Sequence, residues 1–556
     1  MRTYGNLALV ADQWVINDLE PHVAIKLKAL FPGVPKANKV VTFPATPLIA
    51  ADLGWFCERY PLRASNDDLN ALDTARTAFA GLRAEADRIR ATDYTPPLLT
   101  GLREGQALRE HQARNIELLG LFGGLLVGDE VGKGKTYTAA GAMLLPGALP
   151  AAVVVLPSLK RQWQNKIQQF THLTCHLVEG GSPYELPPAD VRIFSYMTLA
   201  GWADMFGSLG HGLVVWDEIH ELRAGLDTEK GKASMRLGEA GRYRLGLTAT
   251  PIFNYGTEIW NIMRFLRPEV LGERGDFLRE FAPHGSVDGK ALGAFLRDQN
   301  AFVRERKDDP QPVKVVQVLE GYDEGELEAV EGIARALAHT AATGAFRERG
   351  EATRELDLRV RHATGVAKAR AVARVARILV EGGAPILLFG WHREVYDIWL
   401  EELADLAPAM FTGSETPRQK AAAQARFLNG ETDILIMSLR SGAGLDGLQA
   451  RCSTVVFGEL DWSPGQHHQC VGRVDREGQP HWERGEGVLA IYLVVEDGSD
   501  PPMLDVLGLK ASEAHAVVDP DLGVQAANTD ETRLRGLVQR YLDRTGAGEA
   551  GQCHEA

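Results

Sequence analysis

Cysteine is scarce in this chain. Five residues in 556 (Cys57, Cys175, Cys452, Cys470 and Cys553) are scattered with no CxxC pair. That excludes a disulfide framework and a paired-cysteine zinc site, and the expected home is a reducing cytoplasm. Long apolar runs are also missing. None approaches the ~18 residues of a membrane helix, and the start, Met1-Arg2-Thr3-Tyr4-Gly5, lacks the apolar stretch of a signal peptide. Positive charge is in deficit: 60 Lys and Arg against 74 Asp and Glu give −14. A uniformly basic coat for nucleic acid is excluded, although a basic cleft under an acidic exterior is not. Low complexity is confined to the small, polar tail after Arg544, expected to fray. With 45% apolar and 24% charged residues, the chain is neither disordered, collagen-like nor a coiled coil. At roughly 150 residues per domain, its length suggests three or four domains.

What is present changes character along the chain. Residues 1–95 read as a small accessory α/β module: a strand over Leu7–Ile16, a helix from Pro21, a strand over Lys39–Phe43, then helices over Leu48–Tyr60 and Asp67–Ile89. From about residue 105, short apolar runs alternate with helical stretches: Leu125–Val127, Ala152–Leu156, Val191–Phe194, Leu213–Trp216 and Tyr243–Leu247. Continuous runs of that length suit strands buried on both faces of a parallel sheet. The alternation returns at Pro385–Phe389, Ile434–Met437, Thr454–Phe457 and Val488–Val494. The expected fold is therefore α/β, with two tandem parallel-sheet lobes over 96–265 and 381–515. A helical insertion over 266–380 separates them, and a C-terminal helix and tail fill 516–556. On that last helix Leu534, Leu537, Val538, Tyr541 and Leu542 form one stripe, suited to docking on its own domain.

The most specific local pattern is Gly128-Asp129-Glu130-Val131-Gly132-Lys133-Gly134-Lys135-Thr136, between an apolar run and a helical stretch. Gly132 and Gly134 let backbone N–H groups close around phosphate oxygens, and the following helix N-terminus adds positive potential. Lys135 reaches β- and γ-phosphates, and the Thr136 hydroxyl ligates Mg²⁺. Asp129 stands where the general P-loop pattern has glycine. Downstream, Leu213–Trp216 delivers adjacent carboxylates, Asp217 and Glu218, at a strand end. Asp217 is expected to hold Mg²⁺, mostly through water, and Glu218 to activate the attacking water.

These residues, with the next ones in order, resemble superfamily 2 helicases, and specifically the Snf2-like DNA translocases. A "DExGxGKT" P-loop is usual there, so Asp129-Glu130 fits. Ala107-Leu108-Arg109-Glu110-His111-Gln112 is similar to the "LRxyQ" element, which implies that Gln112 reads the adenine edge. Val155–Trp163 resembles motif Ia, Phe194–Leu199 motif Ib and Gly246–Pro251 motif III. The stretch Pro251–Trp260 resembles the Snf2-specific continuation, and Arg304–Asp309 the basic element after the first lobe. In the second lobe Phe411–Ser414 is similar to the "dGs" segment. Asp461-Trp462-Ser463-Pro464 followed by Gln469 through Gln479 aligns with "DWNP…QxxxRxxRxGQ". The resemblance covers about residues 105–500. Ser438–Asp446, where motif V belongs, is one residue short, and Asp446 stands where Asn is common. Ile219-His220 replaces the commoner Ala-His.

The resemblance implies two RecA-like lobes, ATP and Mg²⁺ as cofactors, and DNA, duplex or branched, as partner, with a further protein subunit possible and no membrane. Arg473 and Arg476, three apart on one helix face, are expected to act as arginine fingers on the γ-phosphate. His220, Thr248, Thr250 and Gln469 are expected to couple the lobes. Ser158, Lys160, Arg161, Ser195, Tyr196, Thr412, Ser438 and Arg440 are candidates for a phosphate-directed track. A carboxylate at Asp446 would repel such a track. Residues 347–377 carry a basic excess of roughly five charges, facing either DNA or solvent. Thr364–Ala369 and Phe389–His392 resemble the annealing-helicase branch, and Arg over Lys hints at a bacterial or phage genome. Three rivals stay open: a strand-separating DNA or RNA helicase, the motor subunit of an antiviral or restriction complex, and a nonenzymatic ATP-gated scaffold.

Overall fold

The computed structural model describes residues 2–35, 37–130, 132–249, 257–283, 285, 287–306, 311–439, 445–504, 507, 538 and 541. The N-terminal module is built on an antiparallel sheet, β1 (Asn6–Val10), β2 (Gln13–Asn17) and β3 (Val41–Pro44). The run expected as one strand over Leu7–Ile16 is thus a hairpin. Ala11 and Asp12 both take positive φ, 45° and 60°, the geometry a two-residue hairpin turn demands. Neither is glycine or asparagine, so the turn carried no usual signature. Helices α1 (Pro21–Leu30) and α2 (Pro47–Arg59) cover the sheet and bury Trp14, Ile16, Leu27, Leu53 and Phe56.

Helix α3 (Asn66–Arg90) starts on a Ser65 cap, whose hydroxyl accepts the Asp68 N–H at 3.1 Å. It buries Leu72 in the module and Ala86 and Ile89 in the next core. One helix therefore belongs to both. Arg90 donates to the Arg297 carbonyl at 2.8 Å and Arg279 to that of Gly33 at 2.7 Å, fastening the module to the first lobe.

The first lobe holds seven parallel strands: β4 (Gly124–Val127), β5 (Ala151–Val155), β6 (Cys175–Leu177), β7 (Val191–Ser195), β8 (Leu213–Asp217), β9 (Tyr243–Leu247) and β10 (Phe302–Val303). Their order is β10-β4-β9-β8-β5-β7-β6. A core lies on each face, which is why these strands read as unbroken apolar runs. The second lobe orders β11 (Val313–Val318), β12 (Ile386–Gly390), β13 (Ala409–Phe411), β14 (Ile434–Ser438), β15 (Thr454–Phe457) and β16 (Leu489–Val494) as β11-β16-β15-β12-β14-β13, again all parallel.

The insertion is narrower than the span 266–380 read from the sequence. Phe277, Phe281, Leu292, Leu296 and Phe302 lie in the first-lobe core, and β11 extends the second-lobe sheet. A two-residue strand such as β10 has no period to read, and β11 is an exposed edge. What projects is a hairpin of Glu324–Thr343 and Phe346–Glu381, whose second helix ends inside the second-lobe core at Ala369–Ala376. Its basic excess is largely matched: Arg347 pairs with Glu351, Arg359 with Glu355, Arg370 with Glu402, Arg377 with Asp405 and Lys368 with Asp500. Tyr541 packs on this hairpin against Ala334, Ala338, Leu356 and Val360. Leu534, Leu537 and Leu542 lie outside the described residues.

Candidate ATP site between the lobes

Three neighbouring strands of the first lobe, β4, β9 and β8, deliver the phosphate loop, Thr248 and the Asp217-Glu218 pair at their C-terminal ends, the edge where open parallel sheets hold ligands. Helix α4 (Glu110–Phe122) precedes β4, and helix α5 (Lys135–Ala142) follows the loop. Gly132 and Gly134 take φ of +89° and +80°. A β-carbon on Gly134 would stand 2.6 Å from the Gln112 amide nitrogen, and one on Gly132 would stand 3.1 Å from the β-carbon of Arg476. The loop is thus wedged between α4 and the second lobe. Val131 lies outside the described residues.

Gln112 is buried, and all three of its hydrogen bonds lie within the first lobe. Its amide donates to the carbonyls of Lys133 at 3.1 Å and Gly134 at 3.2 Å, while its oxygen accepts the Arg109 N–H at 2.9 Å. It braces the phosphate loop, and reading an adenine edge would require it to release one of these bonds. The Lys135 ammonium donates to the Asp129 carbonyl at 2.5 Å and that of Glu130 at 3.2 Å. Burial pulls its pKa down against the nearby Asp129, Glu218 and Asp217.

A brace missed from the sequence completes the loop. Arg304 donates to the Gly128 carbonyl at 2.8 Å and to Glu130 at 3.2 Å, and the Glu305 N–H donates to Asp129 at 2.8 Å. Burial raises the Asp129 carboxyl. These bonds explain why Asp129 and Glu130 precede the glycines: they tie the loop to the chain leaving the first lobe. The basic cluster at Arg304 was visible, but its target was not.

Asp217 accepts the indole N–H of Trp163 at 2.8 Å. Trp163 sits on α6 (Lys160–Phe170). Burial, then the charge of Glu218, pushes the Asp217 carboxyl up to about 7. Such a group is short of a cation. Among the described residues no cluster of three His, Cys, Asp or Glu forms a protein cage for one. Mg²⁺ needs none, since it takes one or two carboxylates plus substrate phosphates. Asp217 and Thr136, both lining the cleft, fit that donor set.

Glu218 behaves oppositely. Burial opposes its charge, but the hydrogen bond from His220 and the charges of His220, Lys135 and Arg473 outweigh it and hold the carboxyl below its ordinary range. Its backbone sits at φ 50°, a left-handed conformation that a non-glycine residue keeps only under constraint. His220 Nδ1 lies 3.3 Å from the Glu218 carboxylate and 3.2 Å from the Thr248 hydroxyl, which itself donates to Glu218 at 3.4 Å. Three of the expected coupling and catalytic groups therefore form one cluster. Thr250 lies outside the described residues.

The second lobe closes the site. Arg473, Arg476 and Gln469 line the same 360 Å³ cavity as Lys135, Thr136, Asp217 and Glu218. Arg473 is half-buried, its buried Nε has no hydrogen-bond partner, and desolvation followed by the charge of Arg476 lowers its pKa to about 10. An unpaired buried guanidinium nitrogen facing a phosphate loop awaits an anion. Arg109 and Glu477 form an ion pair across the cleft.

The expected DNA track is only partly available. Ser158 and Arg161 are exposed and Ser438 is half-buried. Tyr196 is buried, and its hydroxyl donates to the Asp217 carbonyl at 2.9 Å, supporting the strand beneath the carboxylates. Ser195 is buried and accepts the Met197 N–H at 3.1 Å. Lys160 folds inward onto the Val178 carbonyl at 2.6 Å. Thr412 is buried and bonds Glu415 at 2.9 Å. Ser195 and Thr412 thus close their own loops, a local alternative that sequence order does not reveal, whereas Tyr196 and Lys160 reach carbonyls 21 and 18 positions on. Arg440 lies outside the described residues.

The SNF2-related domain family matches residues 53–311, and the helicase conserved C-terminal domain family matches residues 368–478. The chain thus carries a stretch similar to the SNF2-related domain followed by one similar to the helicase conserved C-terminal domain. This domain pair is that of an ATP-hydrolysing nucleic-acid motor. Among curated proteins, a DNA repair and recombination protein RAD54-like from Drosophila grimshawi is 29% identical over 258 residues, covering 40% of this chain and 30% of that protein. The RAD54-like protein of Drosophila mojavensis is 26% identical over 260 residues, 41% of this chain and 31% of its own. The chain thus matches about a third of the length of these relatives. A solved Sulfolobus solfataricus SWI2/SNF2 ATPase core in complex with dsDNA shares 18% identity, with a TM-score of 0.37 over 77% of this chain and 100% of that one; at that score it carries no argument. Among the described residues no helix is long and apolar enough to cross a membrane.

Proposed function

We propose that this chain is a DNA-stimulated ATPase that translocates along duplex DNA and remodels branched DNA or protein–DNA complexes. The observation that carries the reading is the division of one ATP site between two lobes: Lys135, Thr136, Asp217 and Glu218 on one wall, Arg473 and Arg476 on the other. Lys135 and the loop amides hold the β- and γ-phosphates, and Glu218 takes the proton of the attacking water. Arg473 and Arg476 neutralise charge developing on the γ-phosphoryl. Mg²⁺, held by Asp217 and Thr136, supplies further charge neutralisation when bound. Because each wall is half a site, triphosphate favours the closed lobes and hydrolysis relaxes them. His220 and Thr248, which share Glu218, connect that cycle to the adjoining loops, with Thr250 and Gln469 as further relays.

DNA as substrate is supported by the likeness to the RAD54-like proteins, whose names describe DNA repair and recombination. Steady-state ATP hydrolysis tests it, without polynucleotide and with duplex, forked, single-stranded DNA or RNA. Duplex stimulation of at least about tenfold is expected; stimulation by RNA alone would replace this reading with the RNA-helicase one. The annealing branch is a finer reading, supported by the resemblance of Thr364–Ala369, Phe389–His392 and the module over 1–95, and a bacterial or phage source is another, supported by the excess of Arg over Lys; added stimulation by forks over duplex would favour that branch.

The inward turn of Tyr196 gives a second check. Tyr196→Phe removes one buried hydrogen bond and is expected to cost about 1 kcal/mol of stability, read as faster hydrogen exchange in β7 and β8, while duplex affinity stays at the wild-type value. Arg161→Ala is expected to do the reverse, weakening duplex binding and flattening its salt dependence by about one phosphate contact.

A further inference from the structure

Asp446 lines the same cavity as Lys135, Glu218 and Arg476. A lone carboxylate there would repel a triphosphate. It is not alone. Its Oδ1 accepts from an Arg476 guanidinium nitrogen at 2.8 Å, and its Oδ2 accepts from the Lys166 ammonium at 3.1 Å. Lys166 belongs to α6 of the first lobe, whereas Asp446 and Arg476 belong to the second. The three groups form a cation–anion–cation bridge across the cleft.

The surroundings make this a held geometry. The Gln424 amide donates to the Asp446 carbonyl at 2.8 Å, which fixes the backbone from which the carboxylate projects. Arg476 is restrained by its Nε–H bond to the Gly472 carbonyl at 2.8 Å and a weaker one to that of Leu445 at 3.4 Å. Burial works against the Asp446 charge, but Lys166 and Arg476 outweigh it and push its carboxyl down to about 2. Arg473, by contrast, has an unpartnered Nε in the same cavity. So of the two arginines expected on the γ-phosphate, one stands unengaged at that atom and the other is already occupied by an internal anion.

We propose that Asp446 is a positioning residue that competes with the γ-phosphate for Arg476, so that the chain engages triphosphate fully only when this internal ion pair is exchanged for the phosphate. The proposal rests on the reading of Arg476 as a γ-phosphate contact. Diphosphate, which presents no γ-phosphoryl, leaves the Asp446–Arg476 pair in place. The carboxylate therefore sets how strongly the cleft prefers triphosphate. The isosteric Asn lacks the charge and releases Arg476 at no cost in packing.

The test is equilibrium binding, with Mg²⁺, of a fluorescent non-hydrolysable ATP analogue and of the matching ADP analogue. The proteins are the full chain and its Asp446→Asn, Asp446→Glu, Arg476→Gln and Asp446→Asn/Arg476→Gln variants. Asp446→Asn is expected to tighten the triphosphate analogue by about tenfold, the range of an ordinary coupling between two sites, and to leave the diphosphate analogue within about twofold. Asp446→Glu keeps the charge and is expected to bind as wild type. In the Arg476→Gln background the Asn substitution should shift triphosphate binding by less than about twofold, because its target is gone and Lys166 still neutralises the carboxylate. Triphosphate binding by Asp446→Asn that is unchanged or weaker, while Arg476→Gln loses the triphosphate preference, overturns the competition and leaves the arginine finger standing. If Arg476→Gln keeps the full preference for triphosphate, the finger reading fails and the proposal falls with it.

Discussion

Glu218→Gln is expected to lower ATP hydrolysis by about 10³-fold while triphosphate binding stays within a few-fold of wild type. The argument starts from charge. Glu218 is held ionised by His220, Lys135 and Arg473 in spite of its burial, whereas Asp217 beside it is driven towards protonation. Two adjacent carboxylates pushed in opposite directions have divided their roles: Glu218 is ready to accept a proton, and Asp217 awaits a cation. Gln has the same shape and tolerates the same φ of 50°, so the strained turn, the His220 contact and the Thr248 contact survive. What disappears is the proton acceptor. Steady-state turnover and analogue binding, measured on one preparation, separate these effects. A fall of less than tenfold would remove Glu218 from proton transfer and return the water-activating role to another group in the cleft.

The parts of this molecule that follow from periodicity were legible in the sequence, and so were those that follow from a contiguous motif. The buried strands β4, β5, β7, β8, β9, β12, β14, β15 and β16 fall on runs that could be read as apolar blocks, because helices cover both faces of each sheet. The phosphate loop and the Asp217-Glu218 pair are contiguous in the chain, so their residues could be named in advance, and the structure brings them to one cavity. Long-range and conformational features escaped. The Ala11-Asp12 turn depends on two residues in an uncommon conformation. The Arg304 brace acts across more than 170 positions. Tyr196, Lys160 and Thr412 were assigned to a DNA track from their order among motifs, but order says nothing about which way a side chain at the end of a strand or the start of a helix turns. The Asp446 bridge shows the same limit from the other side. The residue looked misplaced beside a phosphate only because the two cations that neutralise it, 280 and 30 positions away, were not visible.

Lys368→Met is expected to destabilise the second lobe by about 3–5 kcal/mol, the cost of stranding one partner of a buried pair. Lys368 lies within the long helix Phe346–Glu381 and is 1% exposed; its ammonium donates to the Leu493 carbonyl at 2.8 Å and to Asp500 at 2.7 Å. Asp500, 2% exposed, also accepts the Val495 N–H at 3.1 Å, so the pair clamps that helix onto the end of β16. Burial already raises the Asp500 carboxyl against the pull of Lys368. Without the ammonium that rise must grow. A carboxyl whose pKa is higher in the folded than in the unfolded chain binds more protons when folded, so stability falls as pH rises above its unfolded value of about 4. The Lys368→Met penalty should therefore be smallest near pH 4 to 5 and full at neutral pH. Adding Asp500→Asn, which keeps an acceptor for Val495 and removes the charge, should recover more than half of it. Because a chain of several domains does not unfold in one step, the measurement is hydrogen exchange in β12, β14, β15 and β16 against β4, β5 and β8. Faster exchange confined to the second lobe, relieved by the second substitution, is the expected result. Equal loss of protection in both lobes would mean that the pair holds the whole molecule together, and no change would mean that water or another group satisfies Asp500 when Lys368 is gone.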